Sequence, residues 1–575
     1  MAPSSPLRHD ALAQIAGPTK TFDLVVIGGG ATGLGVALDA AARGFSVAVF
    51  EAGDFASGTS SRATKLVHGG VRYLAQGNVS LVREALRERA IILAHASHLA
   101  SPLPFVLPTY GWRGRLWDRW FYGAGLSLYD LLAGSASLGR AGLPGPARLL
   151  ALAPGTRASG LAGGVTYVDG QFDDARLAIA LARTATAHGA TLINYCRVVG
   201  LTEDARGPGP ARVHGVEIED RETGRRLTVA ARCVVNATGV WVDSVRRFDE
   251  PSAATMVTPS QGAHLVVDRD FFPGERALIV PKTSDGRVLF AVPWLGKVIL
   301  GTTDTPVGDV RGALQREPRP LAEEVDFILT EAARYLARPP GPGDIRSAWA
   351  GLRPLVTPPQ ADGRATKRMS REHAIEVSRH GLVTVTGGKW TTYRAMAEDV
   401  LAACFKAGRL PERPAGVTRT LRLVGAPPPG TATPPLSAPP GLHLYGSEAA
   451  AVLALPGAGR EFLPGFTEAM VRFAVRHEFA RTVEDVLARR SRWLFLDAAA
   501  AASVAGDVAT IMAEELTLDG ECLFDLLASA AAFESLAAAY STQAPGFCDG
   551  GGADDICYID QVGVDSMDSP VGSID

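Results

Sequence analysis

The chain of 575 residues has no paired cysteine motif. Its six cysteines (Cys196, Cys233, Cys404, Cys522, Cys548 and Cys557) are scattered, without a Cys-x-x-Cys or a Cys/His zinc spacing. That excludes a disulfide scaffold and a zinc ribbon, and it suits a reducing compartment; no metal site is expected. An uninterrupted apolar run of about 18 residues is also missing, so no membrane-spanning helix is expected. The most apolar late stretch, WLFLDAAAAASVAGDVATIMA at 493–513, carries Asp497 and Asp507 and reads as a packed helix. The first 22 residues hold no apolar run of signal-peptide length, and their single Arg is thin for a transit peptide. There is no basic run or aromatic platform of the kinds that bind nucleic acid. Basic residues vanish from 493 to 575, where 15 acids fall. The preceding body therefore nets +12 beneath an overall charge of −3. A basic body suits anionic substrates or anionic lipid headgroups, and equally an ordinary solvated surface with an acidic tail.

What is present is a nucleotide fingerprint. Phe22–Ile27 (FDLVVI) is a short β-branched run of the kind a buried parallel strand shows. Gly28-x-Gly30-x-x-Gly33 follows, then a helical pattern to Arg43 and a second buried strand, SVAVF, which ends on Glu51. The first glycine makes the tight turn, the second admits a pyrophosphate, and the third lets helix and strand approach. The helix N-terminus offers free N–H groups to phosphate, and Glu51 can accept from ribose hydroxyls.

Two later segments separate FAD from NAD. VVNATGVWVD (234–243) sets Ala237, Thr238 and Gly239 at a strand end. VTVTGGKWTTYRAMAEDV (383–400) is a third strand–glycine–helix unit around Gly387 and Gly388. Its helix N-terminus could face the flavin pyrimidine, where negative charge develops on reduction. A nicotinamide site needs one such unit, and three phased units indicate bound FAD.

Along the rest of the chain, residues 1–20 read as disordered and 79–98 as an amphipathic helix. Residues 102–160 read as a Pro-, Gly- and Trp-rich insertion. A helix at 173–188 leads to a strand at 191–195, residues 213–235 form a hairpin, and 257–304 an antiparallel sheet. Residues 424–441 are Pro/Gly linker, 443–516 helical, and the chain after 517 is assigned no structure. WRGRLWDRW (112–120) interleaves Trp with Arg, which suits either a membrane interface or a packed cap face.

Taken together, GGGATGLGVALDAAARGFSVAVFE and GTSSRATKLVHGGVRYL resemble the aerobic-type, FAD-dependent glycerol-3-phosphate dehydrogenases. GTTDTP (301–306), WAGLRPL (349–355), SREH (370–373), GGKWTTYR (387–394) and VRHEFARTVEDVLARRSRWLFLD (475–497) continue the resemblance in order. After about residue 517 the pattern stops, and no EF-hand loop of the mitochondrial kind is present.

The resemblance implies an α/β fold. A Rossmann-like FAD-binding domain of the glutathione-reductase/D-amino-acid-oxidase type (20–105, 161–255 and 345–410) would carry an antiparallel-sheet substrate cap (106–160 and 256–344). A linker (411–441), a C-terminal helical domain (442–516) and an acidic tail (517–575) would follow. The implied reaction is oxidation of sn-glycerol 3-phosphate to dihydroxyacetone phosphate, with hydride passing to FAD and electrons to a quinone. A glycerol-3-phosphate oxidase using O₂ and a non-catalytic flavoprotein are the alternatives. The protein would sit in the cytoplasm, peripherally on the inner face of the membrane, and a homodimer is compatible with the resemblance.

Thr59, Ser60 and Ser61 would run along the FAD with the glycines and Glu51. A small dianion needs several fixed cations, and fork-shaped guanidinium suits phosphate. Matched positions supply Arg62 and Arg371 toward phosphate, Arg353 toward the C2 oxygen and Lys389 toward the C1 oxygen. Thr392 would add a hydrogen bond, and Asp304 would hold a neighbouring base or cation. His68 and His264 both qualify as the base, and the sequence does not rank them. Lys65 and Arg72 read equally well as a solvated face.

Overall fold

The computed structural model describes residues 6–15, 20–70, 78–113, 117–204, 212–357, 373–517 and 520–541. Thr21–Ile27 is almost wholly buried, as a parallel strand covered on both faces must be. It pairs in parallel with Val47–Phe50 on one side and Arg226–Asn236 on the other. Thr191–Ile193 and Leu382–Gly387 extend the parallel block, and His373–Val377 closes one edge antiparallel. The helices Ala31–Ala42, Asp174–Ala187 and Tyr393–Lys406 pack side by side. Asp173 caps the second of these by accepting from Arg176 N at 3.1 Å. Gly189, at φ +89°, then turns the chain into Thr191–Ile193.

The second sheet runs in the order Thr305–Pro306, Val257–Asp268, Lys297–Gly301, Leu289–Trp294, Ala277–Val280, Ala100–Tyr110, Leu161–Phe172 and Leu66–Val67. Ile345–Val356 pairs along Val257–Asp268. Four of these strands differ from the sequence division. Ala100–Tyr110 begins before residue 106, while Leu66–Val67, Leu161–Phe172 and Ile345–Val356, assigned to the nucleotide unit, pair in the cap sheet. The inner stretch of Ile345–Val356 is buried on both faces, so it shows no alternation to mark the sheet it joins.

Three further segments are more ordered than expected. Within 1–20, Pro6–Ile15 is a helix, held where Arg8 meets Asp220 at 2.7 Å. The linker 411–441 is a packed strap: Leu423 and Leu436 are buried, and the Leu436 carbonyl accepts from Leu295 N at 2.7 Å. Its prolines fix turns while its leucines anchor them. In the tail, Gly520–Tyr540 is a helix, and Ala505–Leu516 packs between it and Glu468–His477. Leu526, Ala530, Phe533, Ala537 and Tyr540 recur at helical spacing and are buried, which outweighs the acidic composition. Residues 542–575 lie outside the described residues.

Residues 485–490, expected to be stabilised within a C-terminal helical domain, reach out of it. Arg489 and Arg490 both bind Asp54, in the loop after Val47–Phe50. The helix Arg119–Ala133 shows the outcome for the tryptophan cluster. Trp112, Trp117 and Trp120 are 74%, 62% and 61% exposed, beside exposed Phe121, Leu128 and Leu131. No helix among the described residues is long and apolar enough to cross a membrane.

Candidate active site

The glycine turn after the first strand is forced by its neighbours. Gly28 sits at φ +106°, and a Cβ there would lie 2.7 Å from the Ala237 carbonyl oxygen. A Cβ on Gly33 would lie 2.0 Å from the Gly28 oxygen, so the helix Ala31–Ala42 approaches its strand only with glycine there. Gly30 caps that helix with no side chain to occupy its first N–H groups, and Ala31 N donates to Ser60 Oγ at 2.9 Å. Glu51 accepts from Gly29 N at 2.6 Å and Gly53 N at 2.9 Å, and burial pushes its carboxyl up.

The other two segments meet this turn. Trp390 Nε1 donates to the Ser60 carbonyl at 2.9 Å, Thr59 Oγ1 to Leu352 O at 2.5 Å, and Thr386 Oγ1 to Gly239 O at 3.3 Å. A cleft of about 1240 Å³, open to solvent, runs between them. Gly28, Gly30, Glu51, Thr59, Ser60, Ala237, Thr238, Gly239, Gly387, Gly388 and Lys389 line it. Two expected cofactor residues do not: Gly33 supports the turn from beneath, and Ser61 is buried with its carbonyl pinned by Lys65 Nζ (2.7 Å) and Arg492 Nη2 (2.9 Å). A backbone cradle at a helix N-terminus whose capping residue is glycine, with a carboxylate at the next strand end, fits the pyrophosphate and ribose of FAD.

Beyond Pro354 and Lys389 the cap sheet contributes a second group. Register pairs Ser260 with Arg353, Gly262 with Gly351, and His264 with Trp349. Strand alternation therefore sets all six on one face. The glycines clear space for the chemistry. A Cβ on Gly262 would meet the Arg353 guanidinium at 2.2 Å, on Gly351 the Arg62 Cβ at 2.9 Å, and on Gly301 the His264 ring at 2.6 Å. Arg353 donates to Thr302 Oγ1 (2.8 Å) and Thr303 O (3.0 Å), and Asp304 lies 3.4 Å away, itself accepting from Ser260 Oγ. Asp304 thus faces the Arg353 guanidinium.

The histidines separate here. His264 is 2% exposed and stacks on Trp349 with 4.1 Å between centroids; its Nε2 meets Thr64 Oγ1 at 2.9 Å. Nδ1 is buried with no hydrogen-bond partner among the described residues. Burial, then the Arg353 and Lys65 charges, hold its pKa well below 6.5. His68 lies in a different loop. Its Nδ1 accepts from Gly70 N at 3.1 Å and its backbone N donates to Thr391 Oγ1 at 3.3 Å. Thr392 Oγ1 turns back onto the Lys389 carbonyl at 3.3 Å. Arg62 is buried and pairs with Glu317 at 2.6 Å. Arg371 and Arg72 lie outside the described residues.

Lys65, one candidate for a solvated face, is instead fully buried. Its Nζ lies 2.7 Å from Asp174, which also takes Arg492 at 3.0 Å. Burial, partly opposed by Asp174, pushes the Lys65 ammonium down to about 7. Thr64, Trp349 and Thr302 were missed. The only trace of them is a single glycine in each of three paired strands, Gly262, Gly301 and Gly351, which marks where bulky polar groups approach.

Comparison with known proteins places these observations. Residues 23–394 match the family model described as FAD dependent oxidoreductase, and 431–522 the C-terminal domain of alpha-glycerophosphate oxidase. The mitochondrial glycerol-3-phosphate dehydrogenase of Homo sapiens is 40% identical over 537 residues, covering 87% of this chain and 71% of that protein. That of Arabidopsis thaliana is 38% identical over 555 residues, covering 89% and 86%. The glycerol-3-phosphate dehydrogenase structure from Bacillus halodurans, complexed with FAD, superposes with a TM-score of 0.72 at 30% identity, covering 94% of this chain and 99% of that one.

Proposed function

The chain belongs to the FAD-dependent glycerol-3-phosphate dehydrogenases, and on that premise we propose how its residues oxidise sn-glycerol 3-phosphate to dihydroxyacetone phosphate. The carrying observation is the single sheet face that presents His264, Arg353 and, through Gly351, Arg62.

FAD, held by the glycine turns and Glu51, would supply a two-electron acceptor for the C2 hydrogen and its electron pair. Arg62 holds the substrate phosphate. Arg353, fixed by Thr302 and Thr303, lies against the C2 oxygen and stabilises the negative charge that develops there. His264 takes the hydroxyl proton. Its ring is neutral because burial and two cations oppose a third charge, so it is in the accepting form at neutral pH. With Nε2 engaged by Thr64, Nδ1 is the nitrogen left to receive that proton. The arriving phosphate dianion offsets the same two cations and raises His264's basicity when a base is required. Lys389, at the cleft's end, supports the C1 oxygen.

The electrons pass to a quinone, and the protein docks peripherally on a membrane. The exposed tryptophans of 112–120 and the apolar residues of Arg119–Ala133 support this docking, since indole rings favour the lipid–water boundary. Anaerobic titration of the FAD-loaded enzyme with glycerol 3-phosphate tests the reading. The flavin's visible absorption should bleach, and a soluble quinone should restore it faster than O₂. A loaded flavin that glycerol 3-phosphate leaves unbleached would overturn the assignment.

A further inference from the structure

Arg62, the residue assigned to phosphate, already holds an anion. Glu317 Oε1 lies 2.6 Å from Arg62 Nη2, and the two side chains are 7% and 4% exposed. Arg62 Nη1 donates to the carbonyls of Ser57 and Gly58, so its other edge is turned into the cofactor loop. Tyr540, on the last turn of Gly520–Tyr540, bonds the same Glu317 Oε1 at 2.5 Å and is 1% exposed. Tyr540 also stands edge-on to Phe495 at 5.7 Å, Phe495 edge-on to Trp349 at 5.2 Å, and Trp349 stacks on His264. The terminal helix thus reaches the face that carries the reaction.

We infer that Glu317 is a stand-in for the substrate phosphate, held on Arg62 by Tyr540 and displaced when glycerol 3-phosphate binds. The inference rests on Arg62 as the phosphate ligand in the reading above. Physical necessity motivates it. A buried guanidinium without a counter-anion is strongly unfavourable, so the empty site needs one. Glu317 meets Nη2 through one oxygen, as a phosphate oxygen can, and carries half the charge of a phosphate dianion. The exchange leaves Arg62 paired in either state and couples substrate arrival to release of the 316–319 segment and the terminal helix. Glu317 and Tyr540 are positioning residues: they set how readily Arg62 becomes available, and neither touches the reacting carbon.

The test uses the full-length, FAD-loaded enzyme and inorganic phosphate as a competitive probe. In Glu317→Gln the KM for glycerol 3-phosphate and the Ki for phosphate should both fall about tenfold, the scale of a hydrogen bond to a charged group. In Tyr540→Phe, which changes no charge, both should fall about threefold, and the double variant should match Glu317→Gln. A merely structural pair predicts the reverse, with KM and Ki raised as Arg62 loses its place. A long-range charge effect predicts a response in Glu317→Gln and none in Tyr540→Phe, and either result overturns the inference. If Glu317→Gln does not fold, Tyr540→Phe carries the test alone. Perturbation of the flavin spectrum by phosphate reads the exchange without turnover. Failure of the proposed function would appear instead as a wild-type flavin that glycerol 3-phosphate does not bleach.

Discussion

Replacing Gly262 by alanine isolates the positioning of Arg353 from the stability of the fold. The residue lies mid-strand in Val257–Asp268, outside the left-handed region, so alanine suits the backbone and even gains about 0.5–1 kcal/mol over glycine. Its Cβ would stand 2.2, 2.5 and 2.7 Å from the guanidinium's Nη2, Cζ and Nη1. Ordinary contact begins near 3.4 Å, so the guanidinium must retreat by about 1.2 Å. That is the far end of a flexible side chain, and it moves at little cost to stability. The retreat breaks the 2.8 Å bond to Thr302 and the 3.0 Å bond to Thr303 O. A misplacement near 1 Å typically costs about 10²-fold in rate, or about 2.7 kcal/mol of transition-state stabilisation. Steady-state kinetics with glycerol 3-phosphate should therefore show kcat/KM down about 100-fold, with FAD content and Tm unchanged. Wild-type kcat/KM in a folded, FAD-loaded Gly262→Ala would refute the placement of Arg353 in the site.

Further outcomes follow from the same geometry. His264→Gln should retain FAD and lose about 10²–10⁴ in kcat, and flavin reduction at the wild-type rate would remove His264 as base. The base works deprotonated and its pKa is held below 6.5, so activity should fall only below that pH; Arg353→Met removes a repelling charge and should move that acidic limb upward, as a kcat/KM profile would show. Asp174→Asn leaves Lys65 and Arg492 buried without their shared carboxylate and should cost about 3–5 kcal/mol in denaturant unfolding; an unchanged midpoint would contradict the pairing. Glu51→Ala strips the acceptor of Gly29 and Gly53 N–H and should weaken FAD binding about 10- to 100-fold in ultrafiltration. Trp117→Ser with Trp120→Ser should reduce co-flotation with anionic vesicles while leaving anaerobic flavin reduction intact; undiminished flotation would dissociate the patch from lipid.

The nucleotide half of the site was readable because its chemistry is local. Gly28, Gly30 and Glu51 lie within 24 residues, and their spacing alone encodes strand, turn, helix and strand. The tail misled for the opposite reason. Composition after residue 517 is acidic and glycine-rich, yet the helix Gly520–Tyr540 forms because five apolar residues share one face, a pattern that averaging over the segment erases. The linker misled similarly, since prolines mark turns whether or not the leucines between them find a core.

The substrate half was readable as residue types and hidden as geometry. Arg62, His264 and Arg353 are separated by about 200 and 90 residues, and nothing local tells which face of a strand each occupies. Register decides it: pairing Gly262 with Gly351 puts His264 and Arg353 on one face, whereas a slip of one residue would send them to opposite sides. The glycines at 262, 301 and 351 carry that information in disguise. A glycine inside a strand weakens it, and three on one face are stable only where something larger than hydrogen occupies the space. Here the occupants are the Arg353 guanidinium, the His264 ring and the Arg62 stem. Interior strand glycines are therefore the sequence mark of this substrate pocket, as the phased turns are of the cofactor cleft. The weakening they bring is offset by packing from the groups that do the chemistry, so stability and activity at this face depend on the same contacts.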